Sequence, residues 1–101
     1  MVGTKNLILN SEGSLIAEVY VMRSARCGTA WAKVQEIQSS GRRVILEMKY
    51  PGGSFRKEAV GNFVYTAMAR VAPGDCVEGI ATVFFNDQVG HWDPTSVSSC
   101  R

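Results

Sequence analysis

Apolar and polar residues alternate most cleanly where Val44, Leu46, Met48 and Tyr50 are interleaved with Arg43, Glu47 and Lys49. A two-residue period sends alternate side chains to opposite faces of a pleated strand, so this stretch predicts a half-buried strand, with Ile45 its one exception. Pro51-Gly52-Gly53 follows, proline setting one dihedral and glycine tolerating positive φ, and predicts a hairpin with a thinner strand over residues 54–60 that carries Phe55 and Ala59. Upstream, residues 14–22 hold Leu15, Ile16, Ala17, Val19, Tyr20, Val21 and Met22, broken only by Glu18. That β-branched and aromatic run predicts a strand covered on much of both faces. Residues 23–29 are polar and predict a loop. Residues 30–38 alternate imperfectly as far as the turn chemistry of Ser39-Ser40-Gly41-Arg42. Near the start, Leu7-Ile8-Leu9 predicts a short edge strand that ends at Asn10-Ser11-Glu12-Gly13.

Downstream, residues 63–71 carry two periods at once. Phe63, Val64, Ala67, Met68 and Val71 fit helical spacing, whereas Val64-Tyr65-Thr66 and the turn signals on either side favour a strand. A strand is expected, with one or two helical turns as the alternative. Ala72-Pro73-Gly74-Asp75 predicts a turn, and residues 77–86 a central strand in which Gly79 marks a bulge. Residues 87–101 read as a polar tail apart from Val89, Trp92 and Val97. Strands at this spacing predict one all-β domain over residues 1–101, a small antiparallel barrel or sandwich of about six to eight short strands. Residues 1–12 are then either an edge strand or the replacement for a removed leader.

Composition narrows this picture. A chain of 101 residues with 46% apolar and 20% charged residues supports one modest core and is not disordered. A formal charge of +2 does not select a polyanionic partner. No apolar run approaches the about eighteen residues of a membrane-spanning helix. Leu7-Ile8-Leu9 is also too short for the core of a signal peptide, so the chain is either cytoplasmic, with Met1 native, or a secreted protein whose leader is absent from this sequence. Three cysteines, Cys27, Cys76 and Cys100, allow at most one internal disulfide. With no Cys-x-x-Cys pair and a single histidine, a structural zinc site lacks its ligands. A Cys27–Cys76 bond, with Cys100 the alternative partner, would close a loop worth roughly 4 kcal/mol of unfolded-state entropy.

Catalytic groups are few. His91 would have to be the base of any Ser-His-Asp arrangement, and it stands in a turn-like Gly90-His91-Trp92-Asp93-Pro94. Pro51-Gly52-Gly53 lacks the lysine and helix of a phosphate loop. Arg26 beside Cys27 would favour a thiolate there. Arg42, Arg43, Lys49, Arg56 and Lys57 lie on adjacent hairpins near Tyr50 and Phe55, the mixture of cations and rings that small β-barrels use on single strands. Glu47 and Glu58 dilute that charge. Trp31 and Trp92 are candidate ligand platforms, but for Trp31, beside a strand start, a place in the core is the stronger expectation. The candidate ligand surface is Arg42, Arg43, Arg56, Lys57 and Trp92, and no catalytic residue, cofactor or metal site is expected.

The run Arg23-Ser24-Ala25-Arg26-Cys27-Gly28-Thr29-Ala30-Trp31-Ala32-Lys33-Val34 resembles an uncharacterised domain of secreted or membrane-anchored proteins from actinobacteria and bacilli, marked by a Cys-x-Thr-x-Trp-Ala-Arg/Lys motif. Val64-Tyr65-Thr66-Ala67-Met68 resembles a second element of that family, and Cys76 stands where the family carries a cysteine. The likeness spans roughly residues 13–83. The family's opening Gly-Cys-x-x-x-Asp-Pro is missing here, and the tail ending at Cys100 is longer. The resemblance implies an extracytoplasmic, oxidised domain and no known activity. The expectation is therefore a non-catalytic secreted or cell-surface β-domain that meets a cell-surface or extracellular ligand. A β-barrel that binds single-stranded nucleic acid is the alternative, and an enzyme using Cys27 or His91 the third reading.

Overall fold

The computed structural model describes residues 2–9, 15–24, 26–36, 43–60, 63–83 and 95–100. Nine strands run through them: β1 (Val2–Leu9), β2 (Leu15–Ser24), β3 (Thr29–Glu36), β4 (Arg43–Tyr50), β5 (Gly53–Val60), β6 (Phe63–Tyr65), β7 (Ala69–Arg70), β8 (Val77–Val83) and β9 (Thr95–Ser99). The chain is all-β, and its strands form two antiparallel sheets. One has the order β1-β2-β3-β6, with β7 also pairing β3, and the other the order β5-β4-β8-β9. β2 lies over β8 and β9, β3 over β4 and β8, and β6 over β4 and β5, so the architecture is a sandwich.

Alternation decides what lies between the sheets. Ala17, Val19 and Val21 of β2, Ala30, Ala32 and Val34 of β3, Val44, Leu46 and Met48 of β4, and Val77, Ala81 and Val83 of β8 are all buried. Each fully buried branched side chain contributes about 1.5–3 kcal/mol. Among the described residues this core contains no aromatic ring, and many of its members are small. Gly79 shows why. A Cβ built there would lie 3.1 Å from Val21 Cγ2 and 3.5 Å from Ala32 Cβ, so an added methyl would meet Ala32 in ordinary contact and require Val21 to give by a few tenths of an ångström: β8 packs closely on β2 and β3 here. The β4–β8 and β8–β9 registers run through Gly79 without a shift, so the glycine marks inter-sheet contact and not the bulge expected from sequence.

The 63–71 segment resolves into two short strands with a bulge between them. Lys33 opposes Tyr65 but Ala30 opposes Ala69, so this side of the ladder holds one extra residue. Thr66 makes the break. The main chain of Ala32 donates to Thr66 Oγ1 at 2.9 Å, and Thr66 N donates to Ala32 O at 3.0 Å. The hydroxyl thus takes the place of a main-chain carbonyl, and the helical alternative is excluded.

Other expectations shift in detail. β1 has eight residues, not three. β2 runs through Arg23 and Ser24, which the polar composition had assigned to a loop. The tail contains β9, at the edge of the second sheet. Asn6 Nδ2 on β1 donates to Ser96 O on β9 at 2.9 Å and ties the two sheets along that side.

The cysteine pairing differs from expectation. Cys76 is bonded to Cys100, and Cys27 is a free, exposed thiol. Register explains it: Val77 opposes Ser99, so Cys76 and Cys100 continue the β8–β9 ladder as the next facing pair. Cys27 sits in the β2–β3 turn, where Gly28 at φ 61 adopts the left-handed conformation and its carbonyl accepts from Val71 N at 2.9 Å.

Arg23 organises this same end. Its parity points it inward, and its buried guanidinium donates to the carbonyls of Asp75, Ser99 (3.0 Å) and Ala72 (3.2 Å). Asp75 and Ser99 are the residues just before the two bonded cysteines. The 72–75 turn is itself closed by Ala72 N donating to Asp75 Oδ2 at 2.8 Å. One cation therefore connects β2, the turn and the end of β9.

Two outcomes follow from this end of the sandwich. Arg23→Met leaves three carbonyls without their donor and lowers unfolding free energy by about 2–4 kcal/mol in urea titrations. Peptide mapping without reduction recovers Cys76 joined to Cys100 and one titratable thiol per chain that Cys27→Ser removes. Cys76→Ser with Cys100→Ser costs about 3–4 kcal/mol, the closure entropy of that loop.

Candidate functional site

Because the inner face takes small and aliphatic side chains, the rings of the first sheet stand on its outer face. Strand register lays them out in rows. Gly3, Met22 and Trp31 form one row across β1, β2 and β3; Lys5, Tyr20, Lys33 and Tyr65 form the next across β1, β2, β3 and β6; Leu7, Glu18, Gln35 and Phe63 form the third. Arg70 of β7 opposes Thr29, one row beyond Trp31. Trp31 is thus outside the core, contrary to expectation: the pattern Ala30, Ala32, Val34 takes the inner face and leaves Trp31 and Lys33 outward.

The rings touch in sequence. The Trp31 and Tyr65 centroids are 5.7 Å apart, and the Tyr65 and Phe63 rings lie nearly parallel at 6.1 Å. Phe63 and Tyr65 keep 51% and 49% of their surface in solvent, and Met68, in the bulge, 61%. Lys33 Nζ sits 4.7 Å from the Tyr20 centroid and 5.8 Å from that of Trp31, a cation held against two ring faces. The Trp31 indole N–H is shielded from water and meets no acceptor among the described residues.

Charge on this face is lopsided. Lys5 Nζ pairs with Glu18 Oε2 at 2.7 Å, and the Tyr20 hydroxyl donates to Glu18 Oε1 at 3.1 Å. Glu18 is therefore fully engaged. Lys33 and Arg70 have no carboxylate partner among the described residues. Exposed apolar and aromatic surface beside cations that lack a carboxylate partner among the described residues departs from the usual solvated sheet face, which is mostly polar. The outer face of the second sheet is mostly polar, with Arg43, Glu47, Lys49, Arg56, Glu58, Glu78, Ser96 and Ser98 beside Ile45, Ile80 and the exposed Val60.

The surface expected from sequence does not assemble. Arg56 opposes Glu47 on the outer side of the second sheet, whereas Lys57 opposes Leu46 and projects to the other side of the β5 edge. Glu58 lies between the cations, 3.4 Å from Arg43 and 3.9 Å from Arg56. Arg42 and Trp92 lie outside the described residues, as does His91. Tyr50 and Phe55 pack on each other at 5.6 Å and against the core. An open depression of about 480 Å³ beside the disulfide is lined by Lys49, Tyr50, Glu78 and Ser98. Among the described residues no cluster of three metal-ligating side chains occurs, and no helix is long and apolar enough to cross a membrane. The outer-face residues were missed because β2 reads as apolar on both faces and the alternation over residues 30–38 is imperfect; the signal that could have found them is the spacing of Ala30, Ala32 and Val34.

The Glu18 carboxyl is held below its ordinary value of 4.5, chiefly by the hydrogen bond from Lys5, with Tyr20 and the charges of Lys5 and Lys33 adding to it against desolvation. Lys5 is raised by the same partner, and Tyr20 is raised by burial first and Glu18 second. A carboxyl depressed in the folded state adds stability that is complete above its unfolded value and is lost as pH falls through the folded one. Thermal melts at about pH 6 and about pH 3 should therefore show wild type losing a few degrees more than Glu18→Gln over that interval.

Comparison of the chain with protein-family models, with curated proteins and with solved structures found no match in any of the three.

Proposed function

We propose that this chain is a non-catalytic binding domain that works outside the cytoplasm and meets its ligand on the outer face of β1-β2-β3-β6. The observation that carries the reading is the row of Trp31, Tyr65 and Phe63 on a solvent-facing sheet, with Lys33 among the rings. Rings on a rigid sheet offer large contact area at little conformational cost, which is how binding surfaces obtain affinity. The Cys76–Cys100 bond supports an oxidising compartment, as does the resemblance of residues 23–34 to secreted domains. Wall polymers and other extracellular material are then the ligands within reach.

A single-strand-binding barrel is less well supported. Its cations were to be Arg42, Arg43, Arg56 and Lys57, yet Arg56 and Lys57 project from opposite sides of one strand and Glu58 engages both Arg43 and Arg56. Nucleic-acid affinity depends on cations that line one continuous path along the phosphates.

Retention on isolated bacterial cell walls tests the reading. Phe63→Ala with Tyr65→Ala, both on exposed positions, should weaken retention about tenfold or more, the loss expected when anchoring rings are removed. Arg56→Gln with Lys57→Gln should leave it unchanged. Equal retention of all three proteins, or none by wild type, would refute the assignment.

A further inference from the structure

We infer that the outer face of the first sheet recognises an acidic glycan, a chain of pyranose units that carry carboxylate groups. The inference rests on the reading of that face as the binding surface and assigns its chemistry.

Two features select this class. The axial C–H groups of a pyranose make one side of the sugar ring apolar and weakly positive, which suits the negative face of an aromatic ring. Trp31, Tyr65 and Phe63 gather three such rings across β3 and β6, Trp31 tilted 45° to Tyr65 at 5.7 Å and Tyr65 stacked with Phe63 at 6.1 Å. The second feature is where the positive charge lies. Lys33 Nζ is within the ring platform, 4.7 Å from Tyr20 and 5.8 Å from Trp31, and Tyr65 is its cross-strand partner. Arg70 follows at the end of the row beyond Trp31. The only carboxylate on the described part of this face, Glu18, is already taken by Lys5 and Tyr20. The face therefore complements an anion, and one close to the stacked ring.

In a uronic acid the carboxylate is bonded to the pyranose ring itself, so stacking the sugar brings the anion to Lys33. In a nucleotide the phosphate is separated from the stacking base by the ribose, which would require cations flanking the rings. Lys33, lying among them, would face base edges. An uncharged glycan would offer no counter-charge to Lys33 and Arg70.

Trp92→Phe leaves Trp31 as the sole tryptophan, since the chain has two. Its emission can then be titrated with hexagalacturonate, with cellohexaose as a neutral hexasaccharide of different sugar and linkage, and with a short oligothymidylate, at about 0.15 M salt, the Lys33 and Arg70 variants isolating the effect of charge. The expected result is saturable binding of hexagalacturonate about tenfold tighter than cellohexaose, a gap that Lys33→Gln narrows and Tyr65→Ala removes by weakening both sugars. Arg70→Gln, at an exposed position, should narrow the same gap and serves if Lys33→Gln fails to melt cooperatively. Cellohexaose binding as tightly as hexagalacturonate, or oligothymidylate binding more tightly than either, would overturn the inference. So would the absence of sugar binding; if wall retention still depended on Phe63 and Tyr65, only the acidic-glycan assignment would fall, and without that dependence the binding face would fall with it.

Discussion

The close approach of the two sheets at Gly79 is the constraint on which the rest of the molecule depends. With Val21 and Ala32 3.1 Å and 3.5 Å from where a Cβ at position 79 would stand, the interior takes alanine, valine and glycine at its centre, with leucine and methionine towards β4. Close packing of that kind excludes rings. The aromatic residues of β2 and β3 take the other parity, and a period of two leaves only one alternative, the solvent face, whereas Tyr50 and Phe55 of the second sheet pack at the edge of the core. The aromatic face proposed as the binding surface is in this sense the complement of the core: Tyr20 and Trp31 are outside because Val19, Val21, Ala30 and Ala32 are inside.

One end of the sandwich is secured by different chemistry. Arg23 is a buried cation with three carbonyls about it, which offsets the desolvation penalty of its charge with no carboxylate partner among the described residues. The disulfide extends the β8–β9 ladder at that point and fixes an edge strand of only five residues. Arg23 joins the two sheets there, while Asn6 does so along the β1–β9 side. The aromatic rows lie on β2, β3 and β6, so the surface rests on paired strands, with the Thr66 bulge setting where β6 stops and Met68 emerges.

Several elements were legible because their signals are local. Val44, Leu46 and Met48 alternate against charged neighbours, and Pro51-Gly52-Gly53 cannot continue a strand, so β4, its hairpin and β5 follow from neighbouring residues. The turn at residues 72–75 is likewise local, closed by Asp75 on Ala72. The site was much less legible. Residues 14–22 are apolar at nearly every position, so their composition does not say which face looks inward, and Trp31 inherits that ambiguity through its pairing with Met22. The basic residues at 42–43 and 56–57 suggested a patch by proximity in sequence, yet adjacent residues on a strand face opposite ways.

Sequence alone therefore determined the class of the chain, an all-β domain of short strands with turns between them, because periodicity and turn chemistry act over a few residues. Tertiary structure alone decided which cysteines meet, which side of β2 and β3 is wet, and that Gly79 is a contact point. These depend on register between strands distant in sequence, and a shift of one residue would have exchanged the faces of every strand involved.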